Sequence, residues 1–203
     1  GFIGSHLAEE ALSHGDRVLV LDSLVTGHRE NVPAGAKFLH RDLRDPGLAE
    51  LLREQRVDVV SHHAAQANVR VSVEHPLADA QANVLGGLAL IEACRAAGVR
   101  RLLFASSGGT VYGEQETFPC AENHPLRPLS PYGCSKLAIE SYLGAYARLG
   151  DLEPVILRYA NVYGPRQDPH GEAGIVAILC EKFLAGEPPK IFGDGRQTRD
   201  YVH

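Results

Sequence analysis

Tyr132 and Lys136 lie four residues apart just after Pro131, a spacing that puts a phenol and an ammonium on one face of a helix. A phenol with a pKa near 10 is a poor base at neutral pH, but nearby cations favour its ionised form. Lowering that pKa by about three units takes on the order of 4 kcal/mol of differential stabilisation, within reach of two cations in a partly dry cleft. The pair therefore offers proton transfer to and from a hydroxyl. Taken alone, the spacing also fits an ordinary surface pair on a helix. A second group stands at Gly1-Phe-Ile-Gly4, ahead of an apolar-periodic stretch. It fits a plain helix-start turn, and equally the last two glycines of a G-x-x-G-x-x-G turn, in which backbone N–H groups receive a pyrophosphate. Asp22, at the end of the next strand, favours the second reading. A carboxylate there accepts hydrogen bonds from both hydroxyls of an adenosine ribose and repels a 2′-phosphate, so the expected ligand is NAD rather than NADP.

These groups need a scaffold, and the pattern around them alternates helix and strand. Ile3, Leu7, Ala8, Ala11 and Leu12 have helical spacing, with Gly15 as the stop. Apolar runs predict strands at residues 17–22, 37–40, 57–61, 101–105 and 154–159, and helices are predicted at 76–97, 131–149 and 174–185, with an amphipathic stretch at 46–55. The fold class expected is α/β, a doubly wound parallel sheet of the Rossmann type. Residues 1–164 form the expected nucleotide-binding domain, and 165–203 the start of a smaller substrate-binding lobe, divided at the Gly- and Pro-rich loop from Gly164.

The 203 residues are 44% hydrophobic and 22% charged, enough for one sizeable core and unlike a disordered or collagenous chain. A net charge of −5 gives no basic surface for nucleic acid. No apolar run approaches a membrane span and no signal-peptide pattern opens the chain, so a cytoplasmic protein without membrane partners is expected. Cys94, Cys120, Cys134 and Cys180 form no CxxC pair, which fits reduced thiols. His62 and His63 are adjacent at a strand end, point to opposite sides and lack a third ligand at metal spacing, so no metal is expected. The chain has no Met and both ends look cut, which gives the expectation of a fragment truncated at both ends. Such a piece, without its first strand, is expected to be poorly folded or aggregation-prone and inactive by itself.

Eight motifs occur in order: Gly-Phe-Ile-Gly-Ser-His from residue 1, Asp22, Asp42-Leu43, His62-His-Ala-Ala65, Ser106-Ser-Gly-Gly-Thr-Val-Tyr-Gly113, Pro131-Tyr-Gly-Cys-Ser-Lys136, Leu157-Arg-Tyr-Ala-Asn-Val-Tyr-Gly-Pro165 and Arg199-Asp-Tyr-Val-His203. Over essentially its whole length the chain resembles the extended short-chain dehydrogenase/reductase family and, within it, the nucleotide-sugar epimerases typified by UDP-glucose 4-epimerase. The resemblance implies NAD-dependent inversion at C4 of a nucleotide-activated hexose by transient hydride transfer. It implies Tyr132 as acid/base, with Lys136 binding the nicotinamide ribose and holding the phenol's pKa down. Gly1, Phe2, Ile3, Gly4, Asp22, Ser23, Asp42, Leu43, His63, Ala64, Ala65 and Asn83 are implied to line the NAD channel with that pair. Ser107, Asn161, Phe192 and Arg199 are implied to contact the substrate, Arg199 because a guanidinium fork matches phosphate oxygens. Phe192 equally fits a core aromatic. A homodimer through the helices at 76–97 and 131–149 is implied as well.

Two departures bear on the chemistry. The family's Ser or Thr that hydrogen-bonds the 4-hydroxyl aligns with Gly108; Ser107, Thr110 or a water is left to take its place, and a slower hydride step is expected. The sister dehydratases carry Asp-Glu where this chain has Gly109-Thr110, which argues against dehydration. The alternatives are a dehydratase or decarboxylase on this scaffold, or a non-catalytic NAD-binding sensor.

Overall fold

A computed structural model of the chain describes residues 1–170, 174–191 and 193–203. Its first element is helix α1 (Phe2–Ser13), followed by strand β1 (Leu19–Asp22), a short 3-10 turn at Arg29–Asn31 and strand β2 (Lys37–His40). Helix α2 (Leu48–Glu54) leads to β3 (Val59–His62), and α3 (Val69–Glu74) follows. Next come α4 (Pro76–Ala80), a π-helical turn (Gln81–Leu85), α5 (Gly86–Ala97), β4 (Arg101–Ser107) and the single turn α6 (Gly108–Val111). The chain continues through α7 (Pro131–Arg148), β5 (Glu153–Tyr159), β6 (Asn161–Val162), α8 (Ile175–Leu184) and β7 (Tyr201–Val202).

All strand pairs are parallel. One ladder joins β1 and β2, a second runs in the order β3-β4-β5, and a third pairs β6 with β7. Parallel strands need a crossover between them; helices supply it from β3 to β4, β4 to β5 and β6 to β7, and a loop with the 3-10 turn from β1 to β2. The alternation along β4 decides where the core sits: Leu102, Phe104 and Ser106 are buried while their neighbours are not. Leu102 and Phe104 pack with Leu48 and Leu52 of α2, Leu90, Ile91 and Cys94 of α5, and Ile139 and Leu143 of α7. Cys94 is fully enclosed there, and burial pushes its thiol up to about 12. All four cysteines are free.

The helix expected over residues 76–97 is present with those bounds, and a π turn widens its winding at 81–85. Backbone angles stay helical at Gln81 and Gly86, so the pieces run on as one winding. It stops at Gly98, which takes the left-handed conformation at φ 79°. β4 runs two residues past its expected end, to Ser107, and α3 and α6 are short helices outside the stretches that the periodicity predicts as helical. The segment from Arg199 pairs back on β6, Asn161 with Tyr201 and Val162 with Val202. Among the described residues no helix is long and apolar enough to cross a membrane.

Candidate active site

Helix α7 begins where its sequence says it should. Ser130 caps it by accepting from the Gly133 N–H at 3.1 Å, and Pro131 occupies the first turn, where no backbone donor is needed. Tyr132 and Lys136 follow on one face, 9% and 4% exposed. The Lys136 ammonium lies 5.7 Å from the centre of the Tyr132 ring and 5.0 Å from that of Phe104. Its Nζ donates to the Ala105 carbonyl at 2.9 Å, which ties the pair to the C-terminal part of β4. That is the edge of an open parallel sheet where ligands bind. Gly133 lets α7 come so close: a Cβ there would stand 2.8 Å from the Thr110 carbonyl oxygen and 2.9 Å from the Pro128 Cβ.

One turn further, buried Glu140 receives Arg158 through Nη2 at 2.7 Å and through Nε at 3.1 Å, and also accepts from the Ser106 hydroxyl. Arg158 donates as well to Tyr112 Oη at 3.0 Å. This ion pair binds α7, β4, β5 and α6 together, and Glu140 raises the guanidinium's pKa further.

The start of α1 lies between the ends of β1 and β3. The Gly1 nitrogen is 3.4 Å from Asp22 Oδ2, and a Cβ on Gly4 would stand 4.0 Å from the His63 Cβ. The first N–H groups of a helix have no partner within it, so those of Phe2, Ile3 and Gly4 are available to an anion beside the Asp22 carboxylate. A diphosphate with a ribose next to it fits that donor and acceptor set. Asp22 Oδ1 accepts from Leu24 N at 2.8 Å, and a Cβ on Gly27 would come within 2.8 Å of both carboxylate oxygens. Gly27 is therefore a residue of this corner that motif reading passed over. Ser23 offers its carbonyl to His40 Nε2 at 3.0 Å.

Asp42 and Leu43 follow β2. The Asp42 carboxylate is held by Arg44 through Nε at 2.8 Å and Nη2 at 2.7 Å, and these bonds lower its pKa to about 2. Leu43 packs against the core. Beyond β3, the two histidines do point apart. His62 is buried beside Phe104, while Nε2 of His63 meets Tyr159 Oη at 3.1 Å. Burial first, then the Lys136 charge, lowers the pKa of His62 to about 3 and of His63 to about 4, so both are neutral near the ammonium. Among the described residues no three His, Cys, Asp or Glu side chains gather as metal ligands would. Ala64 and Ala65 lead from His63 into Gln66, whose N–H donates to Asn83 Oδ1 and whose carbonyl accepts from Asn83 Nδ2, both at 2.8 Å. The second Nδ2 proton goes to Asp79 Oδ1 at 2.9 Å. Asn83, which the resemblance implies at the NAD channel, directs both amide protons to Gln66 and Asp79 and so holds the segment after Ala65.

On the substrate side, Ser107 ends β4 and Thr110 lies in the turn that follows. A Cβ on Gly108 would stand 3.0 Å from the Arg158 carbonyl oxygen and 3.2 Å from that of Tyr159, so β5 leaves little room for the expected Ser or Thr. The Thr110 hydroxyl is buried and, among the described residues, without a hydrogen-bond partner. Asn161 donates from Nδ2 to the Asp200 carbonyl at 3.1 Å, bringing it beside the segment that bears the exposed Arg199. Phe192 lies outside the described residues.

Parallel strands with helical crossovers, a helix start facing a carboxylate, and a buried Tyr-Lys pair at the same strand ends define a Rossmann-type dinucleotide-binding protein. The chain belongs to the NAD dependent epimerase/dehydratase family, whose profile matches residues 1–203. It is 48% identical over 207 aligned positions to the UDP-glucose 4-epimerase of Mycolicibacterium smegmatis, covering all of this chain and 66% of the relative. Its fold matches the Thermus thermophilus UDP-glucose 4-epimerase complex with NAD at a TM-score of 0.93 and 55% identity, covering 100% of this chain and 67% of that one. The Thermotoga maritima UDP-glucose 4-epimerase with UDP-glucose gives a TM-score of 0.96 and 45% identity, covering 100% and 66%. The chain thus spans about two thirds of the length of the proteins it matches.

Proposed function

We propose that this chain carries the cofactor-binding and proton-transfer parts of an NAD-dependent epimerase that inverts C4 of a nucleotide-activated hexose of the UDP-glucose/UDP-galactose type. The observation that carries the reading is the buried Tyr132–Lys136 pair, anchored to the C-terminal part of β4. NAD, when bound, supplies the acceptor that takes the C4 hydrogen and returns it to the other face of the sugar. Tyr132 takes the proton of the 4-hydroxyl and gives it back. The Lys136 ammonium favours the phenolate, and its bond to the Ala105 carbonyl keeps it from swinging away. Neutral His62 and His63 add no competing positive charge to that corner. The N–H groups at Phe2, Ile3 and Gly4 receive the cofactor's diphosphate and Asp22 its ribose, with Ser23, Asp42, Leu43, His63, Ala64 and Ala65 along the channel. Ser107 and Thr110 are the hydroxyls able to serve the sugar where Gly108 offers none, and Asn161, Phe192 and Arg199 hold the nucleotide.

Residues 1–164 make up the cofactor domain and 165–203 begin the substrate lobe in this reading. Tyr142 on α7, Leu149 at its C-terminal cap and Leu85 on the π turn are exposed apolar groups that support a homodimer through these helices. Function in the cytoplasm completes the picture. Dehydration is disfavoured because Gly109 and Thr110 bring no carboxyl group to the turn. The test is conversion of UDP-galactose to UDP-glucose by the full-length protein without added NAD. Tyr132→Phe is expected to lower kcat by about 10²- to 10⁴-fold with NAD still bound. A 4-keto-6-deoxy product, or no turnover by the unmutated protein, refutes the proposal.

A further inference from the structure

Asp79 in α4 is 1% exposed, and three donors converge on its carboxylate. Gln66 Nε2 and Asn83 Nδ2 each donate to Oδ1 at 2.9 Å, and Ser135 Oγ donates to Oδ2 at 2.5 Å. A buried carboxyl group is tolerated only where hydrogen bonds replace its lost water, and these three donors supply them. The donors come from three places that matter to the site. Ser135 sits in α7 between Tyr132 and Lys136. Gln66 directly follows Ala65 in the segment leaving β3. Asn83, in the π turn, grips the backbone of Gln66 on both sides.

A second buried route runs parallel to the first. Ser72 in α3 is fully enclosed and accepts the Tyr132 N–H at 3.1 Å. The helix that carries it is capped by Asn68, which exchanges hydrogen bonds with the Gln66 side chain at 2.6 and 3.1 Å. Gln66 therefore meets the first turns of α7 both through Asp79 and through α3.

We propose that Asp79 is a positioning residue of the proton-transfer site, locking the start of α7, and with it the Tyr132–Lys136 pair, to the Ala64–Gln66 segment after β3. The inference rests on the reading of Tyr132 as acid/base. Its physical content is geometric: the phenol must stay aligned with a substrate held by other elements, and a displacement of about 1 Å in such a site costs up to about 100-fold in rate. Asp79 touches neither end of the reaction.

The test uses the full-length protein and the variants Asp79→Ala, Asp79→Asn and Ser135→Ala. Two readouts are taken, steady-state epimerisation kinetics and the ultraviolet difference titration of the Tyr132 phenol, identified by its loss in Tyr132→Phe. Asp79→Ala is expected to lower kcat by about 10- to 100-fold with little change in KM, and to move the phenol's titration up by about one pH unit as it loses register with Lys136. Asp79→Asn should recover most of the rate, because its amide oxygen still accepts from Gln66 and Asn83 while the Ser135 hydroxyl turns to accept from its NH2. If Asp79→Ala does not fold, Ser135→Ala removes a single bond of the hub and shows the same two changes in smaller degree. Unchanged kcat and phenol titration in folded Ser135→Ala overturn the inference while leaving the epimerase reading intact. A phenol that titrates in the ordinary tyrosine range in the unmutated protein removes the acid/base reading first, and the role of Asp79 with it.

Discussion

Along β4, Leu102, Phe104 and Ser106 are buried beneath the crossover helices, whereas no residue of β1 or β2 is buried. The helix that accompanies β1 and β2 encloses just Ser5 and Ala8, while α7 alone encloses seven residues, Tyr132, Ser135 and Lys136 among them. The Tyr132–Lys136 pair is thus held in place by its own core. The corner at Asp22 sets helix-start donors and a carboxylate beside strands that enclose no residue. Catalytic groups need alignment that outlasts each turnover, and packing provides it. A diphosphate site needs N–H groups left open, which a tight core would have to satisfy internally.

The contrast can be broken in the core most forcefully. Phe104→Ala should cost about 3–5 kcal/mol of unfolding free energy in a denaturant titration of the full-length protein, and Phe38→Ala in β2 less than about half of that. Equal losses would erase the distinction between the halves. A smaller effect sharpens it at the site itself. Gly108→Ser forces a Cβ against the β5 carbonyls and should lower stability by about 1–3 kcal/mol without raising kcat. A stable, faster variant would show that the turn has room for the hydroxyl after all.

The pH dependence is the finest probe. His62 and His63 have folded pKa values of about 3 and about 4, below the free value of 6.5, so at mildly acid pH the unfolded chain binds more protons. Stability from these two groups is whole above pH about 6.5 and falls as the pH drops through the window below it, by on the order of 1 kcal/mol per pH unit for each histidine. His63→Gln should flatten the slope of stability against pH between about 6.5 and 4 by roughly half. A slope that does not respond places the acid sensitivity elsewhere.

Much of the site was legible because its signals are local. Ser130, Pro131 and the Tyr132/Lys136 spacing lie within one short stretch, and a capped helix fixes their common face whatever surrounds it. Asp22 and the two glycines were readable in the same way. Asn83 was readable as part of the long winding, but its bonds to Gln66 were not, since that partner is 17 residues away in sequence. Asp79 lies in no motif, and Ser135, 56 residues away, stands within the Pro131–Lys136 motif with no role of its own to read there. The i, i+4 spacing of Asp79 and Asn83 was the one trace of the hub in the sequence.

From the order of residues alone came the strand and helix alternation, the helix caps, the shared face of Tyr132 and Lys136 and the carboxylate at the end of β1, all of which depend on neighbours within a turn or a strand. Tertiary structure decided that the β5 carbonyls crowd Gly108, that Lys136 is pinned to Ala105 near two histidines kept neutral chiefly by burial, and that three distant donors meet on Asp79. Burial and convergence are properties of several segments at once, and no single stretch of chain encodes the dielectric or the partners that another stretch will bring to it.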